Sequence, residues 1–221
     1  RVWRYRLDSC ALGVLEREVL GVLREQADVP GAQIPDLYRD YLRTGDARHM
    51  MRVLYHNAID ILSLVTLASL VGRIFEDPWR GGRLDGAELY ALGRAYQQAG
   101  QMDRAERALR AVLDRPDRSD VYLRALRDLA RMLKRAGRRD EAFAYWQQLA
   151  MLTQDDVLAH EELAKYFEWH LERLDLARAW TEAALDVVQA WPGRGRRASV
   201  LAELSHRLAR LERKLSGEEE R

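Results

Sequence analysis

Cysteine is nearly absent. Cys10 stands alone among 221 residues, which excludes an intramolecular disulfide and a multi-cysteine zinc site and fits a reducing compartment, so a cytoplasmic location is expected. An excess of charge of either sign is also missing. With 36 Lys and Arg against 35 Asp and Glu, the whole chain makes no electrostatic case for nucleic acid or an anionic membrane, and any such binding must come from local patches. The richest apolar stretch, 58–74, is interrupted by Asp60, Ser63, Thr66, Ser69 and Arg73 and falls short of the ~20 apolar residues of a membrane span. No transmembrane helix and no membrane partner are therefore expected. The opening Arg-Val-Trp-Arg-Tyr-Arg lacks the apolar run of a secretory signal, and a start on Arg reads as a piece of a longer or processed product. No stretch alternates apolar and polar residues as a half-buried strand would.

What is present is helical periodicity. An apolar fraction of 48% suffices for a sizeable core. Ser9 is placed to cap a helix with Leu12, Leu15, Val19 and Leu23 on one face, ended by Pro30-Gly31. Pro35, at a first helical position, opens a short helix that stops near Gly45. A longer helix follows Asp46, with Leu54, Ala58, Ile61, Leu62, Val65 and Leu70 as its predicted apolar face. Residues 77–86 hold three glycines and a proline, breaker chemistry that marks a boundary.

Beyond that boundary small and large residues recur with a period of roughly 34 to 37, the signature of tetratricopeptide-like helical hairpins. Leu92-Gly93, Tyr96, Gly100, Ala105 and Leu109 make one copy, and Leu129-Ala130, Leu133, Gly137, Ala142 and Trp146 a second. A third, with Leu163-Ala164, Phe167, Ala177 and Trp180, aligns only if the turn near 171–174 carries an extra residue. Val200, Leu204, Leu208, Leu211 and Leu215 then outline an amphipathic capping helix. Small residues at Gly93, Ala130 and Ala164 set how closely paired helices approach; most of these positions are core, and Tyr90 and Tyr122 are better suited to packing than to a groove.

One constellation has catalytic character. In Tyr55-His56-Asn57-Ala58-Ile59-Asp60, His56 and Asp60 lie four apart, on one helical face. The aspartate can ligate Mg²⁺ or Mn²⁺ through a hard oxygen, and the imidazole can orient or deprotonate an attacking water. A two-metal device, with ions about 4 Å apart, needs several carboxylates. An ordinary helix-surface His–Asp pair accounts for the same spacing. Basic clusters at Lys134-Arg135 with Arg138-Arg139, and at Arg194 with Arg196-Arg197, can meet phosphates, although helix C-termini favour such residues in any case.

Combined, Trp3-Arg4, Leu12-Gly13, Leu15-Glu16, Asp28-Val29-Pro30-Gly31, Ile34-Pro35, Tyr38, Tyr41, Thr44-Gly45 and His56-Asn57 with Asp60 closely resemble the C-terminal part of a YprB-type ribonuclease H-like domain. Relatives of this kind are expected to be 3′–5′ exonucleases of the DEDD superfamily, and several continue into tetratricopeptide repeats. The resemblance implies that Asp60 is the last metal-binding carboxylate, that His56 stands at the base or water-orienting position, and that Asn57 is structural. It implies a Mg²⁺ or Mn²⁺ cofactor. The Asp-x-Glu and second aspartate motifs of that superfamily are not in this sequence, so the chain by itself is expected to be inert.

The expected architecture is all-α: residues 1–76 as the helical remnant of a ribonuclease H-like domain, 77–86 as a linker, and 87–215 as a TPR-like α-solenoid with a capping helix. The expected function is the C-terminal portion of a metal-dependent exonuclease acting on nucleic acid, with the repeats positioning substrate or a partner. The alternative is an adaptor that binds a protein or peptide in the repeat groove without catalysis.

Overall fold

The computed structural model describes residues 2–24, 29–80, 84–116, 119–153, 156–192 and 195–217. Residues 81–83 of the predicted linker and Arg194 lie outside them, as does the side chain of Arg196. Every regular element among the described residues is helical, and the chain divides into two compact units, Arg1–Leu92 and Gly93–Arg221.

In the first unit, α1 (Leu12–Leu15) runs into a single π-turn, Glu16–Leu20. Ser9 does not cap it: the capping position is Ala11, whose N–H donates to Ser9 Oγ at 3.2 Å in the turn ahead of the helix. The helix ends at Gly21, well before Pro30-Gly31. Gly21 takes φ 68°, and the Val22 N–H returns to the Glu16 carbonyl at 2.9 Å, a left-handed stop that glycine adopts without a Cβ clash. Leu23 is consequently off the helix and 77% exposed. Helix α2 (Ile34–Thr44) opens with Pro35 in its first turn and ends at Gly45, as the sequence predicts.

Helix α3 (Arg48–Glu76) is long, and its buried face differs from the predicted one. His56, Ser63 and Leu67 are buried, and Leu67 joins Val2 and Trp3 in a core completed by Leu12, Leu15, Val19, Leu70, Val71 and Ile74. Of the predicted apolar face only Leu70 packs there, while Leu54, Ile61, Leu62 and Val65 are between 53% and 64% exposed. Periodicity detects both stripes but does not say which one finds a neighbour. The helix also extends past 58–74 at both ends, so by length and composition α3 is long and apolar enough to cross a membrane, correcting the expectation that no such helix is present. Helix α4 (Gly86–Gln98) starts with a reciprocal cap: the Glu88 N–H donates to Asp85 Oδ1 at 2.7 Å and the Asp85 N–H to Glu88 Oε2 at 2.9 Å.

The second unit is built from α5 (Met102–Leu113), α6 (Asp120–Arg135), α7 (Arg139–Leu152), α8 (Val157–Trp169), α9 (Leu174–Gln189) and α10 (Gly195–Ser216), with the end of α4. The hairpin turns repeat one another closely. Gln101 N–H donates to the Tyr96 carbonyl, Arg138 N–H to Leu133 and Arg173 N–H to Phe167, each at 2.9 Å. Gly100 and Gly137 supply positive φ in the first two turns; the third carries the predicted extra residue, and there Glu172 takes the left-handed conformation, φ 53°.

Ala105, Ala142 and Ala177 are buried at equivalent positions. A Cβ on Gly93 would come within 3.1 Å of Leu109 Cγ, which is why this position is the smallest residue of its series. One alignment needs correcting. The buried residue equivalent to Leu109 and Trp146 is Thr181, whose hydroxyl donates to the Ala177 carbonyl at 2.8 Å, while Trp180 turns toward His160, 5.5 Å between ring centroids. Tyr90 and Tyr122 are both 4% exposed and pack. Leu204 and Leu211 bury the cap's inner face.

Candidate functional site

The exposed charges that could meet a ligand are sorted by their neighbours. Lys134 pairs with Glu162, and Arg138 donates to Glu106 and Glu141, whereas Arg135 and Arg139 are left in solvent.

His56 and Asp60 lie on α3 one turn apart but in different settings. The His56 ring is buried at 8% exposure and sits edge-on to Tyr55, centroids 5.8 Å apart. Asp60 is half-exposed, and its carboxylate meets a cation from the non-helical stretch just beyond the π-turn: Arg24 NH2 donates to Asp60 Oδ1 at 2.5 Å. Asn57 is exposed.

That same guanidinium is shared. Arg24 Nε donates to Glu16 Oε2 at 2.6 Å and its NH2 to Glu16 Oε1 at 2.8 Å, the two-pronged geometry in which arginine is strongest. The Glu16 side chain is 1% exposed, on the π-turn. The Arg24 hydrogen bonds hold its carboxyl below the usual range, against the effect of burial, with the Ser63 hydroxyl of α3 assisting. A buried carboxylate needs such compensation. Two carboxylates from separate segments thus converge on one cation, and this convergence ties the π-turn to α3.

Sequence reasoning missed Glu16, Arg24 and Ser63 as members of the site. A signal existed for Glu16: it follows Leu15 and precedes Val19 on the apolar face of its helix, where a charge is out of place unless something answers it.

Among the described residues no group of three His, Cys, Asp or Glu side chains is placed to hold a metal ion. Asp60 and Glu16 face a guanidinium between them, so the described residues do not by themselves fit a metal pair.

Residues 1–72 match the RNase_H superfamily. The matched span contains Glu16, Arg24, His56 and Asp60 and ends within α3. Over 98% of its length the chain is also similar, at 28% identity, to the uncharacterized protein YprB of Bacillus subtilis (strain 168). It spans 51% of that relative, about half its length. Among solved structures, PcrH from Pseudomonas aeruginosa is similar over 60% of this chain and 96% of its own, with 23% identity and a TM-score of 0.47. A type III secretion complex from Aeromonas hydrophila covers 59% of this chain and 83% of its own, at 21% identity and the same TM-score of 0.47.

Proposed function

We propose that this chain is the C-terminal part of a metal-dependent 3′–5′ exonuclease, with the repeat array holding nucleic acid or a partner. The observation that carries the reading is the superfamily match over residues 1–72, within which Asp60 presents a half-exposed carboxylate from α3. In this reading Asp60 is the last metal-binding carboxylate, and His56 is the residue that orients or deprotonates the attacking water once the site is assembled. The bound Mg²⁺ or Mn²⁺ would supply a nucleophilic water and offset charge on the phosphodiester. The remaining carboxylates would come from outside this sequence, since among the described residues no group of three ligating side chains is placed to hold a metal ion. A cytoplasmic setting belongs to the same proposal.

A second reading has its own observation. Asp60 is engaged by Arg24, which also holds buried Glu16; this is the arrangement of a structural tie, and it favours an adaptor whose nuclease-like segment is scaffold.

The deciding experiment is Mn²⁺-dependent degradation of 5′-labelled single-stranded DNA and RNA. It compares this chain with a version carried upstream in its gene through an Asp-x-Glu motif, each beside Asp60→Asn. The expected result is no cleavage by the chain and stepwise shortening by the longer protein, abolished by the substitution. A folded, metal-supplied longer protein that shortens nothing would favour the adaptor, and Asp60-dependent cleavage by this chain would refute its predicted inertness.

A further inference from the structure

The second unit carries two adjoining clefts on the hairpin-turn side of α6. One, of about 240 Å³, has a floor of Ala142, Phe143 and Trp146 from α7 and a wall of Tyr166 and Trp169 from α8. Its charged lining is Lys134, Arg139 and Lys165 against Glu162, three positive to one negative. The other, of about 630 Å³, is lined by Arg94, Arg131, Arg135 and Arg138 against Asp103, Glu106 and Asp128. The C-terminal half of α6 borders both, with Lys134 lining the first and Arg131 and Arg135 the second.

Much of the acidic lining is already committed. Glu162 receives Lys134 and Lys165, Asp128 receives Arg94, and Glu106 receives Arg138. Arg131, Arg135 and Arg139 are exposed and engage no partner among the described residues. Helix C-termini favour cations whatever they bind, so these three alone argue little. The second observation is Trp169. Arg207 lies over its ring, 5.4 Å from guanidinium carbon to centroid, yet the side chain remains 57% exposed at the cleft mouth. Arg207 is itself anchored, its NH2 donating to buried Glu168 at 2.6 Å. An indole backed by a fixed cation and open to solvent is a preset planar surface.

We propose that this face binds single-stranded nucleic acid, with a base stacked on Trp169 and the phosphates following Arg139, Arg135 and Arg131. Unpaired cations and an open aromatic plane serve the two chemical parts of a nucleotide together. An acidic peptide would use the cations and leave the indole idle. This deepens the exonuclease reading by naming how its substrate is held, and it rests on that reading for the substrate class.

The test is fluorescence anisotropy of labelled oligothymidylate and oligouridylate with the full chain at low salt in EDTA, where no metal-dependent cleavage occurs. Saturable binding is expected, weakened roughly 5- to 100-fold by Trp169→Ala. Arg131→Gln with Arg135→Gln and Arg139→Gln is expected to weaken binding and to flatten its dependence on salt. All variants should keep the parent circular dichroism spectrum, and Trp169→Phe should retain most of the affinity. No binding, or binding that neither set of substitutions changes, overturns the proposal. So does competition by polyglutamate together with indifference to Trp169→Ala, which would assign the face to an acidic peptide. Because the assay reads binding alone, its failure and the failure of the cleavage assay are separate results.

Discussion

Replacing Arg24 by Met separates the two jobs its guanidinium could have. Glu16 is almost wholly enclosed, at 1% side-chain exposure, and takes two hydrogen bonds from Arg24; Asp60 takes one and is 43% exposed. Stranding a buried charge costs about 3–5 kcal/mol, whereas a half-exposed pair contributes about 0–1 kcal/mol. Arg24→Met should therefore destabilise the first unit by several kcal/mol and Asp60→Asn by less than about 1 kcal/mol. Hydrogen exchange of the peptide covering residues 12–24 reads this locally, and urea unfolding gives the total. The pH dependence should change sign. In the parent chain the Glu16 carboxyl lies below its ordinary value of 4.5, so its contribution is full above that value and is lost as pH falls through the lowered one. Without Arg24, burial pushes the carboxyl up, and acidification should partly restore stability. Adding Glu16→Gln to Arg24→Met should recover much of the loss. Equal costs for Arg24→Met and Asp60→Asn, or a neutral Arg24→Met, would refute the reasoning.

Two further outcomes follow from the array. Glu168, 1% exposed at its side chain, faces Arg207, Arg210 and Lys214 of α10; Glu168→Ala should cost about 3–5 kcal/mol, and a double-mutant cycle with Arg210→Ala by thermal unfolding should be non-additive. Glu162 is depressed because its bonds with Lys134 and Lys165 outweigh its desolvation, so its contribution is complete above its usual value near 4.5 and fades on acidification; Glu162→Gln should flatten the stability profile below that pH, measured by denaturant midpoints.

The repeats were legible because their information is local. Leu92-Gly93 and Leu129-Ala130 repeat the same small-beside-large pattern, and the spacing of α8 and α9 required the extra residue that the structure places before Leu174. What escaped was set by partners distant in sequence. The face of α3 is chosen by Val2 and Trp3, which no helical period within α3 reveals, and Asp60 meets Arg24 across 36 positions. His56 and Asp60 were legible as a motif, but their different burial was not. Trp180 drew attention through size, although the buried position beside Ala177 belongs to Thr181.

The uncovered stripe of Leu54, Ile61, Leu62 and Val65 on α3 has a practical consequence for handling the chain. An apolar strip of that kind invites copies to adhere, and the rate of that process rises with the square of concentration. Melting temperatures taken at high concentration would then depend on heating rate and report clumping instead of unfolding. Dilute samples, or a mild detergent that wets the strip, are the conditions under which the stabilities above should be compared.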